Sequence, residues 1–248
     1  MCIRDRGEVV LKKALKIIEI ERDLDLELSK IGKEEDFSFI CSPVFNLVHL
    51  PEIMGNFIRC RPYLSNLKFI SDVPDNIMKA MNEGLYEIAV MEHCQNFDLG
   101  GFGSIALPGD EIIFAASPQL GFDSGDTNLE GLFRHTLFTR KSGNCSRALL
   151  EENLEKKGRS LKDFFKVVVV DDLDTLNELI VKGQGIAFIS NELVGSLIDR
   201  KRIYKITVPG FVHKRKRTLV FSPTSSDCPH IEAFISQILD HFDISHSR

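Results

Sequence analysis

The chain has 248 residues, of which 43% are hydrophobic and 27% are charged, a composition typical of a globular protein with one large or two small domains. Its net charge of -5 argues against a surface built mainly to hold nucleic acid, and no apolar run approaches the roughly 20 residues that a membrane-spanning helix needs. The first residues, MCIRDRGEVV, carry charge where a secretory leader has its apolar core, so we expect no export and a cytoplasmic location.

Cysteine spacing excludes two further classes of protein. The six cysteines lie at positions 2, 41, 60, 94, 145 and 228, without a CxxC pair. Zinc sites and the disulfide frameworks of secreted domains both use closer clusters. We therefore expect reduced thiols that fill apolar space, no metal and no cofactor. A redox sensor built from Cys94 and Cys145 is a weaker alternative, because fifty residues lie between them and the sequence gives no reason to pair them.

The first predicted element is a helix over residues 8–31. Its apolar residues fall four and three positions apart, a period of about 3.5 that is typical of a narrow coiled-coil seam. The seam residues are Val10, Ala14, Ile17, Leu24, Leu28 and Ile31, with Glu21 as the one polar member. A helix packed on its own domain is the alternative. We favour self-association, because the helix stands at the start of the chain and the glycine and charges of KIGKEED end it abruptly.

From residue 36 onward, strand-like runs alternate with helical patterns. The strands are predicted at 36–41, 67–71, 86–91, 110–117, 135–140, 165–170, 185–190, 202–208 and 217–222. The helices are predicted at 44–60, 75–84, 146–158, 173–183, 190–200 and 230–242. This alternation indicates an α/β fold with parallel strands and helices on both faces. The run KVVVV at 166–170 is apolar throughout, which predicts a strand buried on both sides.

The middle of the chain interrupts this rhythm. Residues 98–131 are rich in Gly, Pro, Ser and Asp, which suggests a crossing between two lobes joined by extended hinge strands. A second crossing is predicted at ITVPGFVHKRKRTLVF. The expected division is a helix at 1–35, one lobe at 36–115 with 216–248, and a second lobe at 116–215. The dense basic run HKRKR, 213–217, is expected to be a solvated turn, with a nucleic-acid patch as the alternative.

A candidate ligand site follows the first strand, in ICSPVFNLVHLP. Ser42 suits a helix N-cap and Pro43 suits the first turn, and a helix N-terminus favours an anion. Pro51 lacks an N–H and should bend the helix, which would leave a short turn aimed at the cleft. That turn comprises Ser42, Val44, Phe45 and Asn46. Plain capping without a ligand explains this segment equally well when it is taken alone.

Other segments support a site between the lobes. Thr139, Lys141 and Ser142 lie between a strand and a helix, and Asp171 and Asp172 precede another helix as N-caps would. Two lobes whose helix starts face one cleft suit a small anionic or zwitterionic ligand, and Lys141 would add a cation.

The strand that ends in Met91, Glu92 and His93 should line the same cleft. A Glu–His pair would also suit acid–base catalysis or a metal. We favour a hydrogen-bonded pair at a strand end, because no third metal ligand has recognisable spacing.

At this point the sequence resembles the linker helix and effector-binding region of LysR-type transcriptional regulators, from about Gly7 to Phe242. The matching segments occur in order: GEVVLKKALKII, the strand-Ser-helix segment with Leu50 and Pro51, GLYEIAVMEH, LFTRKSGNCSRALLEENL, VKGQGIAFIS and RIYKITVPG. Each motif is weak alone, but their order and spacing are specific. The resemblance implies a two-lobed, periplasmic-binding-protein-like (type II) fold with hinge strands behind a long linker and dimerisation helix.

The resemblance also implies a small-molecule effector between the lobes, and it places Asp172 and Leu173 with the other candidate contacts. It implies a homodimer or homotetramer that reaches DNA only through an N-terminal winged helix-turn-helix, which this chain is expected to lack. Residues 1–6, MCIRDR, continue no recognisable pattern, and we expect them to be foreign to the domain.

Two other functions compete with an effector-sensing role. One is a free-standing solute-binding protein on the same fold. An exported form would need an export signal or lipid anchor and would lack a coiled-coil helix, so the alternative is a cytosolic solute-binding protein. An enzyme is the other, and the sequence contains no GxSxG, GxxxxGK[ST], GxGxxG or HExxH motif. We therefore expect no catalytic activity.

Overall fold

A computed structural model describes residues 36–61, 64, 66–94, 98–223 and 228–244, together with twelve positions between 7 and 24. Those twelve positions are helical and solvent-exposed, and they include Val10, Ala14, Ile17 and Leu24 of the predicted seam. Leu28 and Ile31 lie outside the described residues. The side chain of Ile17 is 66% exposed, so it has no apolar cover from the described part of its own chain.

Ten strands of the described chain form one continuous mixed sheet. The strands are β1 (Asp36–Cys41), β2 (Asn66–Ser71), β3 (Ile88–His93), β4 (Gly103–Ala116), β5 (Gly125–Asp126), β6 (Thr136–Thr139), β7 (Lys166–Val169), β8 (Ile186–Ser190), β9 (Tyr204–Thr207) and β10 (Lys214–Phe221). The order across the sheet is β2-β1-β3-β10-β4-β8-β6-β7, and β9 pairs with both β4 and β5. β1 is parallel to β2 and β3, β6 is parallel to β7 and β8, and β4 and β10 run antiparallel to their main neighbours.

Eight helices cover the two faces of the described sheet. They are α1 (Pro43–Val48), α2 (Leu50–Cys60), α3 (Pro74–Asn82), α4 (Leu129–Phe133), α5 (Cys145–Glu155), α6 (Leu173–Val181), α7 (Asn191–Asp199) and α8 (Pro229–His241). Pro51, which has no backbone N–H, lies in the first turn of α2, and α1 ends before it at Val48. The segment therefore forms two short helices rather than one.

β4 divides the sheet into two lobes. Its first part, Gly103–Glu111, pairs with β10, whereas Ile112–Ala116 pairs with β8 and β9. Lobe 1 contains β1–β3 and β10 with α1–α3 and α8, and lobe 2 contains β5–β9 with α4–α7. The chain passes from lobe 1 to lobe 2 along β4 and returns through residues 208–213 into β10.

Each lobe has apolar packing on both faces of its part of the sheet. In lobe 1, one face is dominated by Phe37, Phe39, Phe57 and Phe234, and α3 packs on the other face. In lobe 2, α4 and α5 cover one face and α6 and α7 cover the other. The alternating pattern of strands and helices predicted these layers from the sequence.

Two predictions about strands are wrong. β7, within KVVVV, lies at the edge of the sheet, where Val169 is 56% exposed, and the preceding Phe165 is 77% exposed. The run HKRKR is not a solvated turn, because Lys214–Phe221 is the β10 strand between β3 and β4. Within this run, Arg215 and Arg217 are only 7% and 1% exposed, whereas Lys214 and Lys216 point to solvent. The alternation follows the two-residue period of a strand.

Candidate functional site

A cleft between the lobes holds two adjoining cavities. The inner cavity is lined by Ser42, Val44 and Glu92 from lobe 1 and by Thr139, Arg140, Asn144, Cys145, Ser146, Leu173 and Ser190 from lobe 2, with Arg215 from β10. Its volume is about 20 Å³, enough for one water molecule. The lobes are thus closed on one another at the bottom of the cleft.

The outer cavity opens at the mouth of the cleft and is larger, about 270 Å³. Lobe 1 contributes Asn46, Leu47 and residues 71–73, and lobe 2 contributes Arg140, Lys141 and residues 171–174. Pro43, Arg140 and Leu173 line both cavities, which makes the two spaces neighbours. A ligand of more than a few atoms needs the outer cavity or a wider separation of the lobes.

Ser42 lies at the bottom of the cleft but does not cap a helix with its side chain. Its Oγ accepts a hydrogen bond from the backbone N–H of Glu92 at 2.9 Å, so the hydroxyl ties the start of α1 to β3. Ser42 therefore occupies the predicted N-cap position of α1, followed by Pro43 in the first turn, but its side chain makes no cap hydrogen bond. Asp172, in contrast, is the N-cap of α6 and accepts from the N–H of Thr175 at 2.7 Å. That hydrogen bond lowers the pKa of the Asp172 carboxyl.

The structure does not bring every predicted contact to the cleft cavities. Phe45 is buried in the lobe 1 core against Phe39, and Met91 is buried on the opposite face of the sheet beside α3. Ser142 is exposed and lines neither cavity, because α5 begins only at Cys145, behind the N-cap Asn144. The other predicted contacts line a cavity: Ser42, Val44, Asn46, Glu92, Thr139, Lys141, Asp172 and Leu173 at the cleft and His93 at a further cavity beside it.

The prediction that Glu92 and His93 form a hydrogen-bonded pair is wrong. Neighbouring strand residues point to opposite faces of a sheet, and here they find different partners on β10. Glu92 accepts from Arg217 Nε at 3.2 Å, and His93 Nε2 lies 2.8 Å from Thr218 Oγ1. Glu92 Oε2 is buried with no hydrogen-bond partner among the described residues, which leaves an acceptor free at the cavity that Glu92 lines.

Sequence reasoning missed a buried cluster of charges that joins the lobes, here called the inner ion cluster: Glu92, Arg217, Glu192 and His49. The guanidinium of Arg217 donates to Glu92, to the carbonyl of Pro108 at 3.0 Å and to Glu192 Oε2 at 2.5 Å. Glu192 belongs to α7 in lobe 2, and His49 Nε2 lies 3.0 Å from the same carboxylate. The cluster thus fastens lobe 2 to lobe 1 behind the cavities.

Opposing influences set the protonation of Glu192. Burial favours the neutral acid, but the hydrogen bonds from His49 and Arg217, with their positive charge, outweigh it and lower the pKa of Glu192 to about 2. Beside this cluster, Arg215 donates from Nε and Nη2 to Asp110 Oδ2 at 3.0 and 2.6 Å. Burial opposes the charge of Arg215, and the carboxylates of Glu92 and Asp110 more than offset it, so the pKa of Arg215 is raised.

A second ion cluster, here called the mouth cluster, comprises Arg140, Lys141 and Asp171. Arg140 Nε and Lys141 Nζ lie 3.0 and 2.9 Å from the two oxygens of the Asp171 carboxylate. Burial works against ionisation of Asp171, but the two cations prevail and lower its pKa. Arg140 was not among the predicted contacts, although its place after β6 and before Lys141 was a usable signal.

No group of three or more His, Cys, Asp or Glu residues able to hold a metal ion is found in the described part of the chain. Within the same residues, no helix combines the length and the apolar character needed to span a bilayer.

The fold and the cleft together define a two-lobed ligand-binding domain. Residues 32–243 match the model of the LysR substrate binding domain. The chain therefore belongs to the LysR substrate-binding domain family, and it has the two-lobed, periplasmic-binding-protein-like fold that its sequence predicted.

Solved regulatory domains share this fold. A sulfate-bound mutant of the OxyR2 regulatory domain from Vibrio vulnificus is 18% identical, with a TM-score of 0.65, over 84% of this chain and 96% of that one. The CcmR regulatory domain of Synechocystis PCC6803 in complex with 2-PG is 12% identical, with a TM-score of 0.69, over 84% and 97%. The effector binding domain of QuiR in complex with shikimate is 13% identical, with a TM-score of 0.64, over 85% and 98%.

One curated relative has a different description. The phosphonates import ATP-binding protein PhnC of Anaeromyxobacter dehalogenans is 25% identical over 168 residues, 66% of this chain and 33% of that protein. The chain thus spans about a third of the length of that relative. The GxxxxGK[ST] phosphate loop of ATP-binding proteins does not occur in the 248 residues of this sequence.

Proposed function

We propose that this chain is the effector-sensing and oligomerisation portion of a LysR-type transcriptional regulator and that it binds a small molecule between its lobes. The observation that carries the proposal is the cleft itself, whose cavities are lined from both lobes by polar and charged side chains. QuiR and CcmR domains with the same fold are solved with shikimate and with 2-PG. A cytoplasmic location and the absence of catalysis follow from this role.

The charges of the cleft suggest the chemistry of the effector. Arg140 and Lys141 at the mouth are the cations that an anionic group such as a carboxylate would contact, and it would have to replace Asp171 as their partner, because Asp72, Asp171, Asp172 and Asp174 line the same cavity. Glu92, with its unpartnered Oε2, favours a hydrogen-bond donor such as a hydroxyl or an ammonium group deeper in the cleft. A small hydroxy acid or amino acid derivative satisfies both ends. Because the inner cavity holds only one water molecule, the lobes must separate before such an effector can bind there.

The same role divides the chain into the three parts that the sequence suggested, with lobe 1 at 36–115 and 216–248 and lobe 2 at 116–215. The N-terminal helix then supplies self-association, since Val10, Ala14, Ile17 and Leu24 are exposed on it. Homodimers or homotetramers would result, and DNA would be reached through a winged helix-turn-helix joined to this helix. Size-exclusion chromatography with light scattering tests this part, and a strict monomer would contradict it.

Thermal unfolding across a panel of small carboxylates, hydroxy acids and amino acid derivatives tests the effector site. A ligand present at ~100 times its Kd stabilises the folded state by about 2.7 kcal/mol. We expect the shift to disappear in Lys141→Met and Ser42→Ala and to persist in Lys162→Met, an exposed lysine of lobe 2 outside both cavities. A ligand whose effect survives both cleft substitutions would place the site elsewhere.

A further inference from the structure

Two cysteines from different lobes meet beside the inner cavity. Cys94 directly follows β3 of lobe 1, and Cys145 is the first residue of α5 in lobe 2. Cys94 Sγ donates a hydrogen bond to the Cys145 carbonyl oxygen at 3.6 Å, and both cysteines line one cavity. Nothing in the sequence is a reason to pair these cysteines, yet the fold brings them into contact. The fifty residues between them include the strands β4 to β6 and the helix α4, and the chain then returns to Cys94 at the start of α5.

The two thiols differ in chemical character. The neighbouring Cys94 thiol lowers the pKa of the Cys145 thiol, and the nearby guanidinium of Arg215 lowers it further, against the opposing effect of burial. The position of Cys145 at a helix N-terminus acts in the same direction. The pKa of Cys94 is raised by its interaction with Cys145 and by burial. Cys145 is thus the more acidic of the two thiols.

The pair lines a cavity of about 420 Å³ that adjoins the inner cavity at Cys145. Both cysteines line it, together with Asp75 of lobe 1 and Glu151, Glu152 and Glu155 of α5. Four carboxylates disfavour an anionic oxidant such as a glutathione-type disulfide, and Cys145 is only 9% exposed. A small, neutral oxidant fits this surface best. By contrast, Cys41 is fully buried in the lobe 1 core, and burial raises its pKa.

We propose that Cys94 and Cys145 form a reactive dithiol site that reduces small hydroperoxides and closes into a disulfide linking the two lobes. The Cys145 thiolate attacks one peroxide oxygen, so that an S–O bond forms, the O–O bond breaks and the departing alkoxide or hydroxide takes up a proton. Cys94 then attacks the sulfenic sulfur, the S–S bond forms, and the hydroxide leaves with the Cys94 proton as water. In total, two thiols and one hydroperoxide give one disulfide, one alcohol or water, and one water.

The disulfide would hold the lobes together at the cleft. A covalent S–S distance of about 2.0 Å requires the two sulfurs to approach each other from their present positions, in which Cys94 Sγ contacts the Cys145 carbonyl. The bond would join the end of β3 to the start of α5, both of which border the inner cavity. Oxidation would therefore oppose the separation of the lobes that a larger effector needs.

The test uses the full chain, reduced and freed of reductant, then treated with one equivalent of hydrogen peroxide. Free thiols are blocked with N-ethylmaleimide and the protein is mapped by peptide mass spectrometry. We expect a linked Cys94–Cys145 peptide as the main product. Cys94→Ser should stop at a Cys145 sulfenic acid that dimedone traps, and Cys145→Ser should consume peroxide at least ten-fold more slowly. Cys60→Ser, which alters a thiol at the end of α2, is the matched control and should behave as the parent protein.

Two outcomes would overturn the proposal. In one, Cys94 and Cys145 are both labelled by N-ethylmaleimide after peroxide treatment of the parent protein. This result uses no substituted protein, so misfolding of a variant cannot explain it. In the other, oxidised glutathione modifies Cys145 faster than peroxide does, which would reject hydroperoxides as the oxidant. Neither result bears on effector binding, because the ligand panel is measured on the reduced chain.

Discussion

The inner ion cluster and the mouth cluster use the same kinds of side chain at different depths, although Arg140 of the mouth cluster is buried and Glu192 of the inner cluster is partly exposed. Arg217 is fully buried, and its guanidinium contacts Glu92, Glu192, the carbonyl of Pro108 and the ring of Phe242. In the mouth cluster, the side chains of Lys141 and Asp171 are 55% and 39% exposed. Buried ions need their partners because no water can replace them, whereas exposed ions lose little when a partner is removed. The inner cluster therefore stabilises the lobe junction, and the mouth cluster remains available to a ligand.

The largest expected effect comes from Arg217→Met. It removes the hydrogen-bonded partner of the buried Glu92, which keeps only the nearby Arg215 as a cation, and it breaks the link to Glu192, so we expect the free energy of unfolding to fall by about 3–5 kcal/mol. Urea denaturation at pH 7 measures the change. Lys214→Met on the same strand is the control and should stay within about 0.5 kcal/mol, because Lys214 faces solvent.

A second substitution sharpens this test. Replacing Glu92 by Gln in the Arg217→Met background removes the carboxylate that has lost its hydrogen-bonded partner, so the double variant should be more stable than the sum of the two single effects predicts. Strict additivity would show that the two side chains do not interact energetically, and it would remove the contrast between the clusters.

A smaller effect is expected from Glu192 and depends on pH. The folded-state pKa of about 2 lies below the ordinary value of 4.5, so its contribution is fully present above about pH 5 and is lost as pH falls toward 2. The shift corresponds to at most about 3 kcal/mol. The difference in free energy of unfolding between the parent and Glu192→Gln should therefore be largest at pH 6 and smaller at pH 3. Glu178→Gln, in an exposed pair with Lys182, should show little such difference.

The smallest effect belongs to the mouth cluster. Lys141→Ala should lower the free energy of unfolding by no more than about 1 kcal/mol, and added salt should reduce this change further. NMR titration of the Asp171 carboxyl should show its pKa rising toward the ordinary value, because one of the two cations that lower it is gone. A loss comparable to that of Arg217→Met would mean that the mouth cluster, too, holds the lobes together.

The sequence predicted where each helix and strand lies along the chain better than it predicted which elements pack beside one another. Hydrophobic periodicity located β1, β8 and α8 because that signal is local. The exposed edge position of β7 was missed, since the order of strands across a sheet depends on contacts remote in sequence. The contact between Cys94 and Cys145 was missed for the same reason, because the two residues are far apart in sequence.

The role of HKRKR was missed for a different reason. Five basic residues in a row suggest solvent, and the buried partners of Arg215 and Arg217 lie far away along the chain at Asp110, Glu92 and Glu192. The alternation of Lys and Arg was the available signal. A flexible, strongly hydrated lysine suits the solvent face of a strand, and a planar guanidinium with several donors suits a buried carboxylate.

The position of β10 has a consequence for biosynthesis. All strands of lobe 2, including the second part of β4, lie within residues 112–207, so this lobe can complete its sheet while the rest of the chain is still being translated. Lobe 1 cannot, because β10 and α8 are made last and β10 lies between β3 and β4. Since domains fold as they are synthesised, the N-terminal lobe here is expected to reach its final structure second. A released chain that ends before residue 214 would then carry a folded lobe 2 beside an incomplete lobe 1.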